Sequence, residues 1–225
     1  MKGKILNMAL NYISSSQSKE FDNYTINNIG VPSIILMEHA AQAISTRLIN
    51  SSNFSLKKVL IIAGTGNNGG DGIALARLLF LKRYDVTIYL VGSPKKASQE
   101  TKKQLSIVNN YGIPVINKIN SFKGYTTIVD ALLGVGLSRD VTGGFADIVD
   151  KANHSMIPIM SVDIPTGINS DNGKVMGTAV KSTETVTMAY NKEGLGTPNG
   201  QKFSGVVTVA DIGIYNPEKI KVAKK

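Results

Sequence analysis

The chain has 225 residues, 42% of them hydrophobic and 18% charged, which suits a globular protein long enough to bury a sizeable core. It has no cysteine, which excludes disulfides, thiolate metal ligands and a cysteine nucleophile; a reducing cytoplasm is compatible with this and is the expected location. The excess of 25 Lys and Arg over 16 Asp and Glu, +9 in all, favours anionic ligands, but aromatic residues at 6% with no Trp give little support to a base-stacking surface, and no nucleic-acid partner is expected.

The segment Met1 to Leu10 has a short apolar run and no clear small-residue cleavage site, so no secretion signal is read there, and no run of about 18 apolar residues exists to span a membrane. Residues 1–30 are polar and mixed, with a short helix expected near Ser16 to Tyr24. Pro32-Ser33 then opens a helix with Ser33 as its N-cap; Leu36, Met37, Ala40, Ala41, Ile44 and Leu48 recur at helical spacing, so this helix should cover the sheet. Glu38, beside that stripe, reads as a rim residue. From Lys57 short β-rich runs alternate with helical segments. Strands are predicted at Val59–Ala63, Asp85–Val91, Val115–Asn117, Thr126–Ala131, Pro158–Asp163, Thr185–Ala189 and Val206–Ala210, and helices at Gly70–Lys82, Ala97–Tyr111 and Gly143–Ala152. This is the signature of right-handed βαβ units: an α/β, three-layer α/β/α Rossmann-like fold with a mainly parallel central sheet. No repeat or linker divides residues 1–225, which read as one domain. Ile168 to Gly177 is a long connection of the functional or mobile kind. The lysines at 95, 96, 102 and 103 and those of the C-terminal tail read as solvated faces.

The most informative stretch is Ala63-Gly64-Thr65-Gly66-Asn67-Asn68-Gly69-Gly70-Asp71-Gly72, between an apolar strand and a helix. In a parallel sheet that is where ligands sit, with helix amides facing an anion. Its glycines allow positive φ and close approach of a ligand to the main chain, so a phosphate cradle is expected. The pattern Gly64-x-Gly66-x-x-Gly69 literally satisfies the dinucleotide fingerprint, but the acid near the right distance, Asp85, precedes the next strand instead of ending it, and no Lys-Ser or Lys-Thr follows the glycines. A hydride-transferring Rossmann enzyme or a Walker-type loop is therefore disfavoured.

Two more strand ends carry an acid into a glycine loop: Asp130-Ala131-Leu132-Leu133-Gly134-Val135-Gly136-Leu137-Ser138-Arg139-Asp140, and Val162-Asp163-Ile164-Pro165-Thr166-Gly167. On one edge of a parallel sheet, Asn68, Asp71, Asp130, Arg139, Asp163 and Thr166 can converge. His39 and His154 have no spaced partners for zinc, and Ser138 is not in a nucleophile elbow. A hard cation held by Asn68, Asp130, Thr166 and loop carbonyls fits better, monovalent because few formal negative charges surround it. Carboxylate acid or base chemistry remains, for which a partly desolvated Asp is suited.

Together these motifs, with Leu36-Met37-Glu38 and the later Tyr190-Asn191-Lys192-Glu193-Gly194-Leu195, resemble the NAD(P)HX epimerase family, also called the YjeF N-terminal domain family, over about residues 15–215. The resemblance implies an isomerase that interconverts the R and S forms of hydrated NADH and NADPH in nicotinamide cofactor repair, followed by a separate dehydratase. It implies that Asn67, Asn68, Gly69, Gly70 and Asp71, with Gly134, Val135, Gly136, Leu137, Ser138, Arg139 and Asp140, line the dinucleotide. It further implies that Asp163 contacts the reacting nicotinamide end as the catalytic group, that Asn68, Asp130 and Thr166 hold one K+, and that the protein is a homodimer. Thr166 stands where the family usually has Ser, Asp140 where it usually has Pro, and Ala41 where it usually has Gly; the family's fused dehydratase domain has no room here. A non-catalytic nucleotide-binding or scaffold protein of the same fold is the main rival, and an NAD-dependent dehydrogenase a distant third.

Overall fold

A computed structural model describes residues 12–215; the expected absence of a leader at residues 1–10 and the basic C-terminal tail fall outside them. Seven strands form one all-parallel sheet in the order β4-β3-β2-β5-β6-β7-β9, and a two-stranded parallel pair, β1 with β8, stands apart from it. In chain order the elements are β1 (Tyr12–Ile13), α1 (Ser15–Tyr24), α2 (Ser33–Asn50), β2 (Val59–Ala63), α3 (Asn67–Leu81), β3 (Val86–Leu90), α4 (Gln99–Asn110), β4 (Val115–Ile116), β5 (Thr127–Ala131), α5 (Gly144–His154), β6 (Ile159–Val162), β7 (Glu184–Met188), β8 (Asn191–Lys192), α6 (Pro198–Ser204) and β9 (Val206–Ala210). One turn of π-helix, Thr25–Ile29, extends α1.

Burial on both faces explains why the central strands read as unbroken apolar runs: all five residues of β2 and all five of β5 are buried. Alternation divides them between two layers. Val59, Ile61, Ala63, Val129 and Ala131 pack with Leu36, Ile44 and Leu48 of α2 and with α3 and α4. Leu60, Ile62 and Ile128 pack with Ile148, Val149 and Ala152 of α5. Ile44 and Leu48 are wholly buried, and each such side chain contributes roughly 1.5–3 kcal/mol. At the far end of α2, Arg47 Nε donates to Glu184 Oε2 at 2.6 Å, and Ser51 and Asn53 donate to Oε1. Burial pushes the Glu184 carboxyl up, but these donors more than offset it and hold it below its usual value.

The expected strands are all present, shortened by a residue or so at several ends. Ser33 is not an N-cap: Pro32 occupies that position, and the Ser33 hydroxyl donates instead to Glu100 Oε1 at 2.6 Å. The third helix starts at Asn67, three residues before the predicted Gly70. Glycine's poor helix propensity argued against this start, but here glycine meets a packing need. A Cβ on Gly69 would lie 1.9 Å from the Gly64 carbonyl oxygen, and one on Gly64 would lie 2.0 Å from that of Leu132. None of the five glycines of this loop has positive φ; they serve close approach of the chain to itself. Gly66 alone among them has no atom within 4 Å of its Cβ position and leaves room for a ligand.

The long connection after Ile168 is ordered by its own backbone bonds, Met176 N to Gly167 O at 2.8 Å and Asn169 N to Lys174 O at 2.9 Å. Sequence patterning missed β1, β8 and α6 because each is too short to show a period.

Candidate functional site

Chain order runs outward in both directions from the β2–β5 pair: β3 and β4 to one side, β6, β7 and β9 to the other. Such a switch point leaves a crevice beyond the strand ends. The three acid- or glycine-bearing ends, after β2, β5 and β6, are neighbours in the sheet and open on one cleft of about 1220 Å3. That exceeds the roughly 300–1,000 Å3 typical of small-molecule pockets and suits a dinucleotide. Asn67, Asn68, Asp71, Gly134 to Asp140 and Asp163 line it, as do Lys19 and Asp22 of α1 and Lys192 of β8.

α3 enters the cleft with its N-terminus. Gly66 offers no capping side chain, and the amides of Asn67, Asn68 and Gly69 have no hydrogen-bond acceptor among the described residues, so the anion-binding end of the helix is open. Gly69 and Gly70 lie beneath this mouth and do not line it; a Cβ on Gly70 would come within 2.5 Å of Met37 Cε. Glu38 is tied to Arg77 across the α2–α3 contact and lies outside the cleft lining, in keeping with its reading as a rim residue.

Asp163 ends β6 with φ +67. Its own amide donates to Val186 O at 2.7 Å, and Ile164 N closes a three-residue turn onto Val162 O at 2.8 Å. A positive φ at the centre of such a turn is uncommon and strained, and strain of this kind gathers at functional sites. Its carboxylate is held on one side only: Oδ1 accepts from Lys192 Nζ at 2.6 Å, Thr187 Oγ1 at 3.2 Å and Met188 N at 3.2 Å, whereas Oδ2 accepts none of these bonds. Lys192 is 1% exposed. Its ammonium also reaches Thr187 Oγ1, Met188 O and Tyr190 O at 2.8–3.1 Å, four acceptors for three N–H donors.

Two more carboxylates face this pair. Burial, then the Asp163 charge, pushes Asp22 up to about 6, with Lys192 pulling the other way. Burial, then Asp163 and Asp22, holds Asp71 well above the usual carboxylate range, although its side chain keeps some surface toward the cleft.

Asp130 and Thr166 sit below the floor. Asp130 Oδ1 accepts from Thr166 Oγ1 at 2.7 Å and from Leu132 N at 3.3 Å; Oδ2 accepts from Ser161 Oγ at 2.8 Å and Thr166 N at 2.9 Å. Burial raises the Asp130 carboxyl, and these donors lower it in part. No cationic side chain pairs with Asp130 among the described residues. Asn68 Nδ2 is buried without an acceptor, and its side chain lies against Gly134, whose Cβ position is 3.1 Å from Asn68 Oδ1. An amide's O and N are interchangeable assignments, so the orphaned position can present an oxygen. One carboxylate, one amide and one hydroxyl around the 130–134 segment fit a weakly charged, oxygen-ligated cation, and no cluster of three His, Asp or Glu residues suited to a metal ion occurs among the described residues.

Residues 33–194 match the profile described as YjeF-related protein N-terminus. The chain belongs to that family. A relative from Oenococcus oeni named NAD(P)H-hydrate epimerase is 62% identical over 206 residues, 92% of this chain and 98% of that protein. One of the same name from Levilactobacillus brevis is 48% identical over 212 residues, 94% of this chain and 98% of that protein. The crystal structure of yeast ynu0 superposes with a TM-score of 0.74 at 26% identity, covering 89% of this chain and 87% of that one.

In this YjeF-family chain the structure also places residues that the sequence reading left without a role. Lys192 gave one signal, its place in the Tyr190 to Leu195 segment that resembles the family's late lysine-glycine segment. Asp22 gave none, since the charged groups that shift it, Asp163 and Lys192, lie far along the chain. Asp140, where the family usually has Pro, is exposed on the cleft wall. No helix among the described residues is long and apolar enough to cross a membrane.

Proposed function

We propose that this protein is an NAD(P)H-hydrate epimerase, interconverting the R and S forms of hydrated NADH and NADPH. The observation that carries the reading is a one-sided carboxylate, Asp163, placed in the same cleft as an uncapped helix N-terminus, in a chain 62% identical over 206 residues to a protein of that name. The amides of Asn67 and Asn68 receive the pyrophosphate, with the exposed Arg139 of the 134–140 loop as a cation on the same cleft. Asp163 meets the hydrated nicotinamide. Lys192, Thr187 and the Met188 amide fix Oδ1, so Oδ2 is the oxygen that takes or gives a proton at the C6 hydroxyl. The hydroxyl then departs and returns on the other face, or the ring opens and recloses.

Asn68, Asp130 and Thr166 would hold one K+, whose charge would offset the buried Asp130. By extension of the family resemblance, a separate dehydratase consumes the S form and the protein works as a homodimer; the lack of cysteine is compatible with a cytoplasmic location.

The test is chiral chromatography of an unequal R and S mixture of hydrated NADH, with and without enzyme, in K+ and again in Li+. Faster equilibration in K+ is expected, with a loss of about 100-fold or more in Asp163→Asn. Unchanged equilibration with enzyme overturns the assignment, and tight binding without turnover supports a scaffold.

A further inference from the structure

Resting on the epimerase reading, we propose that Asp22 is a second catalytic carboxylate: from the α1 wall of the cleft it carries the proton at the C6 hydroxyl on one face of the nicotinamide ring, while Asp163 serves the other face. Three observations bear on this.

The first is that the Asp22 carboxylate lines the cleft, is half-buried, and has no hydrogen-bond or ion-pair partner among the described residues. Every other acid in the described core is either bonded or, like Asp71, inside this same cleft. A carboxylate drawn out of water without a partner is unfavourable unless a ligand completes it.

The second is that α1 is held in register with the reacting end. A helix of 10 residues is marginal by itself, yet this one is anchored along its length. Ile13 pairs with Lys192 in the β1–β8 ladder. Ser14 and Gln17 form a capping box. Ser15 N and Oγ donate to the Asp171 carboxylate at 2.5 and 2.8 Å, and the Phe21 ring lies 5.4 Å from that of Tyr190. At its far end Tyr215 N donates to Thr25 Oγ1 at 2.9 Å. The segment carrying Asp22 is thus tied to the segment carrying Lys192.

The third is that Lys192 cannot supply the proton, because its three N–H donors already serve four acceptors within the fold. When the hydroxyl leaves from one face and water adds on the other, a proton moves on each face. In one direction the C6–O bond breaks and the hydroxyl leaves as water with the Asp22 proton. The N1 lone pair closes the N1=C6 iminium. A water molecule then adds to C6 on the other face and gives its proton to Asp163. Asp22 ends ionised and Asp163 protonated; the reverse reaction or exchange with solvent resets them.

The charged groups that face Asp22 are Asp163 from β6, Asp71 from α3, Lys192 from β8 and Lys19 on its own helix, with Glu100, Arg139 and Asp140 elsewhere on the cleft lining. Burial, then the Asp163 charge, with Lys192 opposing, holds Asp22 at about 6, within easy proton exchange near neutrality.

The experiment follows R and S equilibration of hydrated NADH by the full chain from pH 5 to 9, in parallel with calorimetric binding of hydrated NADH. Asp22→Asn should lower kcat by about 100-fold or more, leave the dissociation constant within about threefold, and abolish the limb of the rate profile near pH 6. Asp22→Glu should restore at least about tenfold and keep a shifted limb. Asp22→Asn with wild-type kcat and limb overturns the proposal, as does a loss confined to binding. If Asp22→Asn does not fold, an unshifted limb in Asp22→Glu overturns it instead. A wild-type chain that fails to equilibrate the mixture refutes the epimerase reading itself, a separate outcome.

Discussion

Replacing Lys192 by Met removes a cation that is 1% exposed and sits 2.6 Å from a carboxylate itself only 12% exposed. Removing one partner of a buried pair leaves the other charged without compensation, at a cost of about 3–5 kcal/mol. Here the Met188 and Tyr190 carbonyl oxygens also lose their ammonium donor, so the upper half of that range is expected. At roughly 2–4 °C per kcal/mol for a chain of this size, Tm should fall by about 8–20 °C. Asp163→Asn removes the other charge, and the double variant removes both. Because a neutral pair no longer strands a charge, the double variant should be more stable than the sum of the single losses by about 2–3 kcal/mol. Urea unfolding of the four proteins at pH 7.5 measures the cycle. Losses that add within about 0.5 kcal/mol would mean that Asp163 and Lys192 do not depend on one another, and the account of how Oδ1 is fixed would fail.

The glycine loop separates packing from ligand access. Gly64→Ala and Gly69→Ala drive a methyl into backbone oxygens at 2.0 and 1.9 Å and should each destabilise the protein by about 3 kcal/mol or more in the same urea assay. Gly66→Ala, with open space at that position, should change stability by less than about 0.5 kcal/mol while weakening hydrated NADH binding in calorimetry, since Gly66 lines the cleft as the N-cap of α3. For Asp22, a folded value of about 6 against an ordinary 3.8 means that the folded chain holds the proton more tightly than the unfolded one. Stability contributed by this group is then present below pH 4 and declines as pH rises to about 6, by up to about 3 kcal/mol. Asp22→Asn should show a correspondingly shallower fall between pH 4 and 6 and greater stability than wild type at pH 8; a steeper fall would reverse the sign of the argument.

The amino-acid sequence by itself determined the layered parallel sheet, since strands buried on both faces must be written as apolar runs and their crossovers as helical stripes. It also pointed to the strand ends that open on the cleft, because an acid followed by glycines after an apolar run marks a loop at the edge of a parallel sheet. The placement of Asp163 and Asn68 on that cleft, with Asp130 and Thr166 beneath its floor, was legible for that reason. Only tertiary structure decided what completes them. The start of α3 at Asn67 depends on close contact between Gly64, Gly69 and Leu132, which local propensity opposes. Lys192 becomes the partner of Asp163 through a left-handed turn at Ala189 that brings the chain back on itself after β7. Asp22 reaches the cleft because a two-residue strand pairs with β8 and Asp171 caps the helix start. These are contacts between distant segments, each too short to leave a period in the sequence, and their energies exist only once the sheet has set the distances.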